Sequence, residues 1–292
     1  MKSIISLITL LILNTFLYSS QDISRFGFLS HSNNALNFKD ARDSLSNWIK
    51  DMGFSNDLNV ETKFFNNIDD LIISYRQGEL DMIVISLPDY FQNENKLKNI
   101  SRDFWSATFS DELYSDFYLI TQTDSKINSI KDISNRSISL ESYDKVPEVW
   151  IDKLSLLVNK KSISNVSSKI VKESKESSAL LNVFFKKTDL AVVSGQTWND
   201  MIKFNPSISK KLKIIEKSQK NNLPFVGFFH KDTVDYKINE FFKVTTNIEE
   251  SVRAEELITL LKFKKFFRVN DDYLNDMRNY YNEYFELQNR YK

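Results

Sequence analysis

An α/β fold of two lobes with a ligand cleft between them is predicted from two similar stretches of the sequence. In residues 77–88 a helix-like segment ends at Gly78, and Asp81 then leads into a short apolar run that stops at Ser86. Residues 187–195 repeat this order and end at Ser194 and a glycine. A short apolar run fits a strand buried on both faces, and open α/β sheets bind ligands at the carboxyl ends of such strands. Two copies about a domain length apart therefore indicate two lobes, with Ser86 and Ser194 on opposite rims of one cleft.

The order of elements in the first part of the chain predicts a mostly parallel sheet flanked by helices. Apolar periodicity and breaker residues predict strands at residues 25–29, 59–65 and 82–85, and helices at 38–52 and 67–77. A β-α-β-α-β series of this kind forms a parallel sheet with right-handed crossovers.

The pattern of the middle of the chain indicates a second sheet, which the chain enters and leaves once before it returns to the first. Over the rest of the chain, strands are expected at residues 114–121, 137–140, 169–173, 190–193, 212–215 and 223–230, and helices at 147–158, 177–187, 234–245, 248–263 and 271–291. We take lobe one as residues 22–117 plus 222–292 and lobe two as residues 118–221. The crossings near residues 117–121 and 221–225 are then the hinge.

Residues 1–20 have the pattern of a secretory signal peptide. Lys2 precedes an apolar run over residues 4–17, and small polar residues follow before Gln21. The run is short for a membrane-spanning helix, although an uncleaved anchor is the alternative. Export to the periplasm is therefore expected. Because the chain has no cysteine, a hydrophobic core rather than disulfides must stabilise the exported protein.

Composition and motifs argue against several classes of function. The 39 basic and 39 acidic residues balance, which does not suit a nucleic-acid groove. With no cysteine and two histidines, neither a zinc-thiolate site nor a three-histidine metal site is expected. Neither a nucleophile elbow nor a glycine-rich phosphate loop is present. We therefore expect a monomer that is not an enzyme and has no metal or other cofactor.

Three stretches resemble the type 2 periplasmic solute-binding proteins, and most of all their phosphate/phosphonate-binding branch, which serves ABC transporters. They are residues 78–86 with Tyr90 just beyond, residues 129–140, and residues 267–278 with an aspartate-tyrosine pair. The resemblance covers most of residues 22–285. It implies a type 2 periplasmic binding fold that captures a small polar solute, phosphonate-like or another small ion, and presents it to an ABC permease. A sensor that signals to a membrane receptor or histidine kinase is the alternative on the same fold.

One stretch departs from the pattern of the resembled branch. That branch has a Ser/Thr-rich, glycine-containing turn after the strand predicted at residues 137–140, where a phosphoryl group binds a helix N-terminus. Here residues 141–147 contain one hydroxyl of that kind, Ser142, together with Glu141 and Asp144. The fold prediction stands, and the ligand is left open between an anion and a cationic or zwitterionic molecule.

The resemblance places the pocket at the strand-end loops of both lobes. The candidate ligand-binding residues are Ser30, His31, Ser86, Leu87 and Tyr90 from lobe one, and Glu141, Ser142, Tyr143, Ser194 and Gln196 from lobe two. His31 suits an anion or a pH-dependent contact, or is an exposed loop residue. Glu141 suits a ligand ammonium, or is an acid at a helix entry. An enzyme on this fold would need a catalytic constellation, and the sequence shows none.

Overall fold

The computed structural model describes residues 23–30, 43, 45–47, 49–50, 59–108, 113–142, 144–246 and 265–291. The strands are β1 (Ile23–Leu29), β2 (Asn59–Phe65), β3 (Met82–Ile85), β4 (Ser101–Thr108), β5 (Phe117–Gln122), β6 (Ser137–Glu141), β7 (Lys169–Glu173), β8 (Leu190–Ser194), β9 (Leu212–Lys217), β10 (Val226–His230) and β11 (Lys265–Arg268). The helices are α1 (Ile68–Arg76), α2 (Leu87–Leu97), α3 (Lys145–Asn159), α4 (Ile163–Val166), α5 (Glu176–Phe184), α6 (Gly195–Phe204), α7 (Ser207–Lys211), α8 (Asp235–Thr246) and α9 (Asp271–Arg290), with a 3-10 helix at Ile130–Ile133.

The strands form two sheets, which confirms the predicted two-lobe α/β fold. The order is β11-β4-β10-β3-β1-β2 in a six-stranded sheet and β7-β6-β8-β5-β9 in a five-stranded sheet. We call each sheet with its flanking helices lobe one and lobe two, respectively. In lobe one β1 runs parallel to β2 and β3, and in lobe two β6 runs parallel to β7 and β8.

The strands that carry the chain between the lobes run against their neighbours. Strand β5, which enters lobe two, is antiparallel to β8 and β9, and β10, which returns to lobe one, is antiparallel to β3 and β4. Just outside these strands, Ser115 and Asn222 form an antiparallel bridge, with N···O distances of 2.9 and 3.2 Å. The two crossings therefore contact each other through this bridge.

Most predicted elements are present where the structure describes them, and six elements had no prediction. They are helices α2, α4, α6 and α7 and strands β4 and β11. Strand β4 mixes charged and apolar residues without a regular alternation of polar and apolar side chains, so its sequence gives a weak strand signal. The helix expected at residues 248–263, the signal segment and parts of the helix expected at 38–52 lie outside the described residues.

Helix α9 packs against both lobes. Its ring at Tyr281 stacks on Phe91 of α2 with centroids 4.9 Å apart, and its Tyr284 hydroxyl donates to Asp152 of α3 at 2.9 Å. The buried apolar side chains of α2, α3 and α9 belong to one continuous core. Within the described residues no helix is long and apolar enough to cross a membrane.

Candidate functional site

The two repeated stretches have the same hydrogen-bonded geometry at the start of their strands. The Asp81 carboxylate accepts from the Arg25 backbone N–H at 2.8 Å, across the parallel pair β1 and β3. The Asp189 carboxylate accepts from the Ser137 backbone N–H at 2.9 Å and its hydroxyl at 2.8 Å, across the pair β6 and β8. Both aspartates therefore help to fix strand register rather than face a ligand.

The two serines at the strand ends are helix N-caps. The Ser86 hydroxyl accepts from the Asp89 N–H at 3.3 Å and donates to the carboxylate of the same residue at 2.7 Å. The Ser194 hydroxyl accepts from the Thr197 N–H at 3.1 Å and donates to the Glu176 carboxylate. Each cap therefore satisfies one amide of the first helical turn and holds one carboxylate beside the helix N-terminus.

An ion pair joins the first turns of α2 and α3. The Lys145 ammonium lies 2.7 Å from the Asp89 carboxylate, whose side chain is 7% exposed, whereas the lysine side chain is 55% exposed. Because α2 belongs to lobe one and α3 to lobe two, this pair connects the facing surfaces of the lobes.

Asp144 caps α3 next to this ion pair. Its side chain accepts from the Val146 N–H at 2.8 Å. Burial raises the pKa of Asp144 to about 8, the hydrogen bond from Val146 opposes this rise, and the carboxylates of Glu141 and Glu176 add to it. A carboxyl group with this pKa is largely protonated at neutral pH.

Glu176 lies at the N-terminus of α6, although it belongs to α5. Its carboxylate accepts from the Ser194 N–H at 3.0 Å and from the hydroxyls of Ser194 and Thr197. Burial raises the pKa of Glu176, and these three hydrogen bonds oppose the rise. A Cβ at Gly195 would overlap the end of the Asp116 side chain, which would then have to move.

We call Ser86, Asp89, Asp144, Lys145, Glu176 and Ser194 the interlobe cluster. Its members are linked from lobe to lobe by the hydrogen bonds, the ion pair and the electrostatic contacts given above. The cluster is rich in carboxylates, but no group of three or more histidine, cysteine or acidic side chains in the described part of the chain is placed to hold a metal ion.

Two of the site residues that the sequence predicts in lobe one, Ser30 and Leu87, are buried. Ser30 follows β1, is 3% exposed and donates its backbone N–H to Phe65 at 2.8 Å. Leu87 has no exposed surface. His31 lies outside the described residues. Their roles in ligand binding stay predictions.

Tyr90, also predicted from lobe one, is 1% exposed and packs against the rings of Phe91, Phe104 and Phe228, at centroid distances of 5.0 to 5.5 Å. It lines a separate cavity of about 340 Å³ between α2, β4 and α9, which has Lys98 and Arg278 on its walls. Its place in the interlobe site stays a prediction.

Two of the residues predicted in lobe two, Ser142 and Gln196, are exposed. Ser142 follows β6, and its hydroxyl donates to the Glu173 carbonyl at 2.9 Å. Gln196, in the first turn of α6, donates to Asp200 at 2.8 Å. Glu141 ends β6 and is partly buried. Tyr143 lies outside the described residues, and these roles also stay predictions.

The candidate ligand-binding residues predicted from the sequence did not include Asp89, Asp144, Lys145 or Glu176. A local signal existed for Asp89, because a serine followed three residues later by an acid is the pattern of a helix N-terminus. Glu176 lies 18 residues before the serine that it contacts, so local patterns give no sign of the pairing.

The comparisons with known proteins agree with this architecture. A family model described as "ABC transporter, phosphonate, periplasmic substrate-binding protein" matches residues 33–274. A search of curated protein sequences found no match.

Several solved structures share the fold at low sequence identity. XAC2383 from Xanthomonas citri, solved bound to ATP, has a TM-score of 0.65 at 11% identity, covering 92% of this chain and 99% of its own. A binding protein component of an ABC phosphonate transporter from Pseudomonas aeruginosa has a TM-score of 0.59 at 17% identity, covering 92% and 87%. PhnD1 from Prochlorococcus marinus, in complex with methylphosphonate, has a TM-score of 0.61 at 12% identity, covering 90% and 100%.

The family match spans most of the chain, and it agrees with the two sheets. Members of this family are periplasmic substrate-binding components of transporters and are not enzymes. The chain belongs to the family of periplasmic phosphonate substrate-binding proteins of ABC transporters.

Proposed function

We propose that this protein is exported to the periplasm, captures a small polar solute between its lobes and presents it to the permease of an ABC transporter. The observation that carries the proposal is the ion pair between Asp89 of lobe one and Lys145 of lobe two, 2.7 Å apart. It brings the first turns of two helices that follow strand ends, one from each lobe, into direct contact. Open α/β sheets bind ligands at the carboxyl ends of their strands.

The hinge geometry supports capture by closure of the lobes. Two chain crossings join the sheets, and they meet at the Ser115–Asn222 bridge. A solute that contacts strand ends of both lobes stabilises the closed arrangement, because the open arrangement offers it contacts from one side only. The membrane partner then recognises the closed form.

The N-terminal sequence supports export. Residues 1–20 have the pattern of a cleavable signal peptide, and the family is periplasmic. N-terminal sequencing of the protein recovered from a periplasmic extract tests this step. A mature N-terminus near Gln21 or Asp22 is expected, and an intact Met1 in the membrane fraction would instead indicate an anchored form.

Solute binding is tested by native mass spectrometry of the protein purified without denaturation, followed by thermal unfolding with a panel of phosphonates, phosphate, amines and amino acids. A bound solute should raise the melting temperature and lower the radius of gyration in solution scattering. If no solute in the panel shifts unfolding and none co-purifies, the binding role is contradicted.

Transport is tested separately from binding. Deletion of the gene should lower uptake of the radiolabelled solute, and uptake should return with the wild-type copy. If the solute binds but uptake is unchanged, a sensory partner in the membrane replaces the permease in the proposal.

A further inference from the structure

The N-terminus of α6 already holds a carboxyl group, which is a side chain of the protein itself. Three donors converge on the Glu176 carboxylate: the Ser194 N–H, the Ser194 hydroxyl and the Thr197 hydroxyl. Backbone N–H groups and hydroxyls at a helix N-terminus are the donor set that binds phosphate and related oxyanions. Glu176 therefore takes the place that an oxyanion would need.

The other two helices of the interlobe cluster are arranged in the same way. At α2 the Asp89 carboxylate receives the Ser86 hydroxyl at 2.7 Å, and at α3 the Asp144 side chain receives the Val146 N–H at 2.8 Å. Within the described residues, each helix N-terminus of the interlobe cluster thus has a side-chain carboxyl group of the chain beside it.

The local charge also opposes an incoming anion. Asp89 and Glu176 contribute carboxylates, and Glu141 and Asp116 lie beside the cluster. Lys145 supplies a positive charge, but that charge is paired with Asp89 at 2.7 Å. An oxyanion would have to displace a hydrogen-bonded carboxylate and then remain close to the others, which is unfavourable at each step.

We propose that the interlobe cleft takes a solute without net negative charge, and that Glu176 is the residue that excludes oxyanions such as phosphate and phosphonates. This inference rests on the proposed solute-binding function and names the class of solute. It separates this chain from PhnD1 of Prochlorococcus marinus, which was solved in complex with methylphosphonate.

The test compares the wild-type protein with Glu176→Ala, Glu176→Gln and the matched control Glu148→Gln. Glu148 is an exposed carboxylate on α3 that pairs with Lys172 at 2.6 Å, so its substitution makes the same change in charge without freeing the α6 donors. Inorganic phosphate and methylphosphonate are titrated by calorimetry and by thermal unfolding, against sodium chloride at equal ionic strength.

The wild-type protein and Glu148→Gln should bind neither anion at concentrations up to about 10 mM, whereas Glu176→Ala should bind phosphate at least about tenfold more tightly than the wild type. Glu176→Gln keeps the side-chain volume and should show a smaller gain, about threefold, from loss of the charge. This second variant keeps the test decisive if Glu176→Ala does not fold.

Saturable binding of methylphosphonate or phosphate by the wild-type protein, with Kd below about 10 mM, would overturn the inference while supporting the solute-binding function. An equal response of Glu176→Ala and Glu148→Gln would also overturn it. Conversely, gain of phosphate binding in Glu176→Ala, with no neutral or cationic solute bound by the wild type, would support the role of Glu176 and contradict the proposed function.

Discussion

Asp89 and Lys145 form an ion pair of 2.7 Å that joins the first turn of α2 in lobe one to the first turn of α3 in lobe two. The two residues are 56 positions apart in the chain. The Asp89 side chain is nearly buried, so its charge depends on this lysine and on the Ser86 hydroxyl for stabilisation.

Lys145→Ala should lower the free energy of unfolding by about 1–3 kcal/mol, since it leaves a buried carboxylate without its cation. It should also raise the radius of gyration in solution scattering, because a contact between the lobes is lost. Lys186→Ala is the control: Lys186 pairs with Asp124, and both side chains are 66% exposed, so no measurable loss is expected. Equal effects of the two substitutions in urea unfolding would contradict the structural role of Lys145.

The contact between α9 and α3 gives a second prediction. Asp152 is 4% exposed and accepts hydrogen bonds from Ser162, Ile163 and the Tyr284 hydroxyl. Tyr284→Phe should cost about 1 kcal/mol of stability, since it removes one donor to a buried carboxylate. Tyr291→Phe is the control, as the Tyr291 hydroxyl has no hydrogen bond to the described part of the chain. A loss no larger than that of the control would show that the contact does not stabilise the packing of α9.

The sequence was sufficient for elements with a strong local pattern. The repeated strands β3 and β8 are short apolar runs that follow an aspartate, and both form where the pattern predicts them. Helix α9 is 20 residues long with apolar residues at helical spacing, so its period alone identifies it. These features depend on neighbours in sequence, which is why they are visible without the fold.

The arrangement of the site depends on contacts between distant residues, which local patterns do not contain. Tyr90 follows a strand end, where a ligand-facing ring is plausible from sequence alone. In the fold, Phe228 lies on β10, which follows lobe two in the chain but belongs to the sheet of lobe one. Its ring packs against the ring of Tyr90, with centroids 5.4 Å apart. Glu176 likewise looks like an ordinary acid of a first helical turn until α6 is placed beside it.

The packing of Tyr90 in the core gives a third prediction, which concerns the stability of the protein. Its ring is almost fully buried among three phenylalanines, so Tyr90→Ala should lower stability by about 3–5 kcal/mol through loss of buried area and formation of a cavity. Ser142 is exposed and makes a single side-chain hydrogen bond, to Glu173, so Ser142→Ala should cost less than about 1 kcal/mol. Urea unfolding compares the two. A small loss for Tyr90→Ala would contradict a core role and return Tyr90 to the candidate ligand-binding residues.

The raised pKa of Asp144 predicts that its contribution to stability depends on pH. Its pKa is about 8 in the folded protein and 3.8 in its ordinary state, because burial disfavours the charged form. Between about pH 4 and pH 8 the folded state therefore holds a proton that the unfolded state releases, and stability falls as pH rises through this window. Asp144→Asn has no proton to lose, and asparagine remains a good N-cap.

The variant should therefore be more stable than the wild type at pH 8.5 by at least about 1 kcal/mol, since one pKa unit corresponds to about 1.4 kcal/mol, and the two should converge near pH 4. Urea unfolding at several pH values measures the difference in stability between the variant and the wild type. The titration of the groups that both proteins share cancels in this difference. Asp124→Asn is the control. The Lys186 ammonium lowers the pKa of the exposed Asp124. Replacement of the Asp124 carboxylate should therefore give no gain in stability at high pH. Parallel pH profiles for the wild type and Asp144→Asn would show that Asp144 is ionised in the folded protein, because a carboxylate that titrates alike in both states contributes nothing to the slope.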